Sequence, residues 1–219
     1  MDCNESAKNI ERLLQNLDGA VPAKSLELAT EIKCLFELIK SEAGERWVCR
    51  IKRNKMETYN AELDAWSTIG GRFKSIEPDI IAALKCYLVD ENTAAIFHMM
   101  RVAEIGLRAI AKERRIKLPK GHHIDWADWN DLLQELHKKV ELLANKKRGP
   151  ARDAALAFYR GAMGHFEAFK DEYRNNVMHA RKQYDEIKAL SVLRHVREFM
   201  LILASKMDDD GKAIKWGIR

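Results

Sequence analysis

One stripe constrains this chain more than any other feature. Ala155, Tyr159, Ala162, Phe166, Phe169 and Tyr173 recur four, three, four, three and four residues apart, and Val177 extends the series. An α-helix turns about 100° per residue, so that spacing keeps all seven side chains on one side. Pro150 to about Ala180 therefore reads as one long helix with a packed face. Pro150 suits its first turn, where a missing N–H costs nothing.

The same period recurs along the chain. Ile10, Leu13, Leu14 and Leu17 mark a helix over 5–17, which Asp18-Gly19 ends. Pro22 opens a second helix, with Leu28, Ile32, Leu35 and Ile39, that closes near Gly44. Residues 46–52 alternate in polarity and read as a short extended piece. A helical segment over 56–67 follows, then the Gly70-Gly71 break. The densest apolar stretch, 78–115, predicts two helices jointed at Asp90-Glu91-Asn92. Asp125 is the expected N-cap of a helix to about Ala144, with Trp126 and Trp129 on one face of it. Asp185 is the expected N-cap of a last helix to about Met207. The expected fold is an all-α antiparallel bundle over 73–207, with an N-terminal helical extension, 1–72, and a loose charged tail, 208–219. Only 4 Pro and 11 Gly in 219 residues agree with it, since a sandwich or barrel needs many turns.

Several classes are excluded. The longest run without Asp, Glu, Lys or Arg is the nine residues from Asn92 to Met100. A membrane span needs about 20 apolar residues, so no membrane partner is expected. No basic-then-apolar leader is visible, and a cytoplasmic location is expected. Cys3, Cys34, Cys49 and Cys86 form no CxxC pair and read as free thiols. His122-His123 with His137 lacks ligand spacing, so neither metal nor cofactor is expected. The net charge of +5 permits a polyanionic partner without requiring one. Basic clusters at Arg50–Lys55, Arg114–Lys120, Lys138-Lys139, Lys146–Arg148 and Arg181-Lys182 could together track a phosphate backbone.

The motif helix carries the chemistry. With Arg174 as zero, its apolar stripe centres near 265°, while Arg174, Met178, Asn175 and His179 fall at about 0°, 40°, 100° and 140°. They share the face away from the core with Asp171, Glu167, Gly164 and Gly161. A glycine costs about 1 kcal/mol relative to Ala inside a helix. Two on one outer face make sense if another backbone approaches there. Gly161, Gly164 and Met178 are thus interface candidates. A plainer account also stands: cations such as Arg174, His179, Arg181 and Lys182 are favoured at any helix C-terminus. On the helix 93–114, Arg101, Glu104 and Arg108 form a polar stripe, either an ion-pair network or a second wall of a cleft.

Tyr173-Arg174-Asn175-Asn176-Val177-Met178-His179 resembles the Arg-x(4–6)-His motif of HEPN domains, whose commonest short form has Asn directly after the Arg. Ala82–Tyr87, Thr93–Glu104 and Tyr184-Asp185 are similar to other parts of bacterial HEPN proteins, so the likeness covers about 75–206. It implies a homodimeric bundle of four to five helices, with both motifs meeting in an interface cleft. Active members are metal-independent endoribonucleases, often toxins or antiphage effectors; others bind without cutting. It implies catalytic Arg174 and His179 with Asn175, and Arg101 and Glu104 near bound RNA or nucleotide, where the basic Arg181 and Lys182 could add phosphate contacts. The chemistry suits these types. Imidazole, near 6.5, serves as base for the 2′-OH and acid for the 5′-oxygen. A guanidinium steadies the phosphate oxygens. Asn175 is four residues from His179 and could orient it. An antitoxin or a nucleotidyltransferase partner also fits the resemblance. Members silenced by AMP transfer carry Tyr two residues after the motif His. Here that position is Arg181, and the nearest Tyr is Tyr184. A non-catalytic binding module and a purely structural dimerisation bundle are the alternatives.

Overall fold

The computed structural model describes residues 23–44, 50–118, 123–178 and 182–212. The expected helix over 5–17 lies outside them, as does most of the expected extended piece over 46–52. The chain divides into two compact units, 1–50 and 51–219. In the first, α1 (Ala23–Gly44) runs from just after Pro22 to the expected glycine.

In the second, every regular element among the described residues is helical. It comprises α2 (Arg53–Gly70), α3 (Glu77–Leu88), α4 (Asn92–Glu113), α5 (Trp129–Ala144), α6 (Pro150–Phe169), α7 (Asn175–Met178) and α8 (Glu186–Ala204). A π-helical turn, Lys170–Arg174, joins α6 to α7 without a break. The part of the expected 1–72 extension from Ile51 onward belongs to this unit, and Trp66 and Ile69 of α2 are in its core.

The bundle is built around α4. Ala95, Ile96, Met99, Met100, Val102, Ala103, Leu107, Ala109, Ile110 and Ala111 are all buried, on more than one side of the cylinder. A helix apolar over so much of its surface must be covered by others. α3, α5, α6 and α8 all pack on it. Gly106 sets the approach of α8: a Cβ there would stand 2.8 Å from Leu203 Cδ1 and 2.9 Å from Met200 Sδ.

Charged residues fasten the outer helices. Asp90 turns the α3–α4 joint with φ of 65°. Buried Lys55 of α2 closes that joint, donating from Nζ to the Tyr87 carbonyl at 3.1 Å and to the Asp90 carboxylate. Buried Glu62 of α2 accepts from Arg194 Nε at 2.8 Å and from Arg197. Leaving such a group unpaired costs several times what the pair itself contributes.

Three local expectations are corrected. Asp125 does not cap α5. Ile124–Trp126 forms a short 3-10 turn, Ala127 and Asp128 are extended, and α5 starts at Trp129. Trp129 is buried while Trp126 is 88 % exposed, so the two share no face. The tail is held as far as Lys212. Asp209 accepts from Ser75 N at 3.0 Å and Ser75 Oγ at 2.7 Å. Met207 is fully buried. Asp185 caps α8 as expected, accepting from Lys188 N at 2.8 Å. Among the described residues no helix is long and apolar enough to cross a membrane.

Candidate functional site

The α6 stripe behaves as its spacing dictates: Ala155, Tyr159, Ala162, Phe166 and Phe169 are buried. Phe166 stacks edge-on against Phe199 of α8 at 4.7 Å and against Trp129 of α5 at 5.9 Å. Beyond Phe169 the ladder changes. Asn175 N donates to the Lys170 carbonyl five residues back, not four. A π turn takes up one extra residue, so faces assigned at a constant 100° slip across it.

Arg174 is the last residue of that turn. Its guanidinium carbon lies 5.4 Å from the centre of the Trp129 ring. With Phe97, Met100, Arg101, Glu104 and Val177 it lines a cavity of about 110 Å³. Gly161 and Gly164 stay on the exposed side of α6, where a Cβ would meet nothing within 4 Å. The shared outer face expected for Arg174 and the glycines is therefore corrected. Arg174 turns inward to α4 and α5.

Three of the expected site residues are thus together, from two separate helices: Arg174, Arg101 and Glu104. Their electrostatics differ. Arg101 donates from Nε to Asp79 Oδ1 at 2.7 Å, and that bond holds its guanidinium in the charged form even more firmly than usual. His98 Nδ1 is 2.8 Å from the same oxygen. Glu104 accepts from Arg108 Nη2 at 2.6 Å, the ion pair expected along that stripe. No described carboxylate pairs with Arg174; the Trp129 face is its partner. Among the described residues, the cavity thus gathers Arg174, held on the Trp129 face, with one member each of two ion pairs, Arg101 with Asp79 and Glu104 with Arg108.

The π turn is pinned from the other side. Lys188 of α8 pairs with Glu172 at 2.7 Å and lies 5.2 Å from the Tyr173 ring centre. These bonds raise the Lys188 ammonium and lower the Glu172 carboxyl from their ordinary values. Tyr184 OH donates to the Glu172 carbonyl at 2.9 Å, and Thr93 Oγ1 accepts from Tyr184 N at 3.1 Å. Burial raises the Tyr184 hydroxyl. Tyr184 is thus tied to the motif helix. Asn175 is half-buried and Lys182 exposed. His179, Arg181 and the side chain of Met178 lie outside the described residues.

Sequence reasoning missed Trp129 and Asp79. Asp79 had a signal, because it falls on the buried stripe of α3 with Ala83 and Tyr87. A carboxylate on a core face needs a donor partner. The packing expected of the two tryptophans holds for Trp129 and fails for Trp126, and nothing in their spacing points to Arg174 lying over the Trp129 ring. Among the described residues no three His, Cys, Asp or Glu gather as metal ligands. Comparison with family models, with curated proteins and with solved structures gives no match to this chain.

Proposed function

We propose that this chain is a HEPN-like, metal-independent endoribonuclease of the toxin or antiphage-defence kind, acting as a homodimer. One observation carries the reading. Arg174, the first motif residue, lines the same cavity as Arg101 and Glu104, the pair that the resemblance puts near the site from another helix. In the proposed reaction, one His179 takes the proton of a ribose 2′-OH. The 2′-oxygen attacks the adjacent phosphorus, and the bond to the 5′-oxygen breaks. The His179 of the second protomer returns a proton to that oxygen. The products are a 2′,3′-cyclic phosphate and a 5′-OH end. Arg174 neutralises the charge growing on the non-bridging oxygens.

Incubating purified protein with a panel of structured and single-stranded RNAs in EDTA tests it. Cleavage that is lost in His179→Ala and in Arg174→Ala supports the reading. Equal cutting by wild type and His179→Ala, or none on any RNA, overturns it.

A second reading is a module that holds RNA or a nucleotide without turnover. The arrangement of Arg101 on Asp79 and Arg174 on Trp129 favours it, because two oriented guanidiniums bind phosphate without an imidazole. Binding that survives His179→Ala, fails in Arg174→Ala and weakens with salt distinguishes it.

A further inference from the structure

His165 of α6 and His195 of α8 face each other, with His165 Nδ1 3.1 Å from His195 Nε2. At that distance one nitrogen carries a proton and the other accepts it. The pair is half-buried. Its rings, 5.2 Å apart, pack against Phe169, which lies 4.9 Å from His195, and Phe199, which lies 5.4 Å from His165. Both phenylalanines are fully buried. This pair lies outside the Arg174 cavity and plays no part in the proposed reaction.

We propose that the His165–His195 pair is a proton-operated clamp, locking α6 to α8 while at least one facing nitrogen is bare and loosening the end of α6 when both are protonated. The bond tolerates two states. With both rings neutral, one N–H donates to one lone pair. With a single added proton, a charged donor still faces a lone pair. A second added proton leaves two N–H groups and two charges opposed at the same 3.1 Å. Phe169 and Phe199 cover the pair on one side while His195 lines a groove on the other, so water screens the two charges only in part. Phe169, which touches both histidines, is the last residue before the π turn, so loosening here reaches the segment that carries Arg174.

The surrounding charges do not cancel this. From α8, Glu198 favours the charged form of His165, yet burial first and His195 second hold that imidazole below its ordinary value. Arg194, beside His195 in sequence, is engaged by Glu62 of α2. Tyr87 of α3 and Glu186 line the same groove as His195, and there Tyr87 OH donates to Glu186 at 3.2 Å. At Gly106, α4 meets α8 through the apolar side chains of Phe199, Met200 and Leu203. A base depressed in the folded state binds more protons when unfolded. The clamp's contribution is therefore complete above about pH 6.5 and drains away as pH falls through that value toward the folded one.

The test compares wild type with His195→Gln and His165→Asn. Each substitute keeps a polar atom near the facing nitrogen and takes no proton. Between pH 7.5 and 5.0, wild type should lose about tenfold in hydrogen-exchange protection at residues 165–174, after correction for intrinsic rates, per unit of depressed affinity. Its melting temperature should fall by roughly 2–4 °C. Both responses should flatten in the two variants. Should a variant not fold, imidazole titration of wild type by NMR decides alone. Coupled titrations with His165 below the ordinary range support the clamp, and two independent ordinary titrations overturn it. Unchanged pH responses in folded variants overturn it as well. RNA cleavage is not a readout, so the clamp stands or fails apart from the proposed activity.

Discussion

Arg174 lies with its guanidinium carbon 5.4 Å from the centre of the Trp129 ring, and the ring is almost wholly buried against Phe166. A flexible cation is thereby held over an immobile indole at the mouth of a small cavity. Replacing Trp129 by Phe keeps an apolar body there and weakens the attraction. A double-mutant cycle of Trp129→Phe with Arg174→Lys should give a coupling of about 0.5–1 kcal/mol. Trp129→Ala should cost about 3–5 kcal/mol, measured by urea unfolding.

Asp79 orients Arg101 and His98 through one oxygen. Asp79→Ala should destabilise the bundle by about 1–3 kcal/mol through the stranded partners. If the Arg174 cavity holds RNA as proposed, the substitution should also weaken that binding, whereas Asp79→Asn, which still accepts a hydrogen bond, should recover part of both. Filter binding and thermal melts read the two effects separately.

The glycines separate by environment. Gly106→Ala pushes a methyl group to 2.8 Å from Leu203 Cδ1 and should cost about 1–3 kcal/mol. Gly161→Ala and Gly164→Ala meet open space, so within a single protomer each should gain up to about 1 kcal/mol. Gly164→Leu should lower dimer affinity if the exposed face of α6 is the homodimer interface. Sedimentation of wild type and variant, both monomeric or both equally dimeric, would dismiss that face.

Gly211 has φ of +70°, and a Cβ there would sit 2.7 Å from Glu113 N. Gly211→Ala should therefore destabilise the bundle measurably, in a segment where composition predicted a free tail. Asp209→Ala should cost about 1 kcal/mol through its two bonds to Ser75.

Glu172 has its carboxyl lowered first by its bond to Lys188. A depressed carboxylate stabilises the fold above its unfolded value and loses that contribution as pH falls through the folded one. The acid limb of a stability profile should therefore become shallower in Glu172→Gln. The pair is exposed enough that its effect should also shrink in salt.

The sequence by itself determined the helices and many of their ends. The four-three repeat dictates the core face of α6, Pro150 its start and Asp185 the cap of α8, because each depends only on neighbours within a turn. What α4 touches, which helix receives Gly106 and what anchors Asp209 depend on residues far apart in the chain, and no local pattern encodes them. The direction of Arg174 belongs with these. Face assignment at 100° per residue holds only while each N–H reaches back four residues. At Lys170–Arg174 it reaches back five, in a segment packed on α4 and tied to Lys188 and Tyr184. Tertiary packing thus turned Arg174 from a supposed outer face toward Trp129, Arg101 and Glu104.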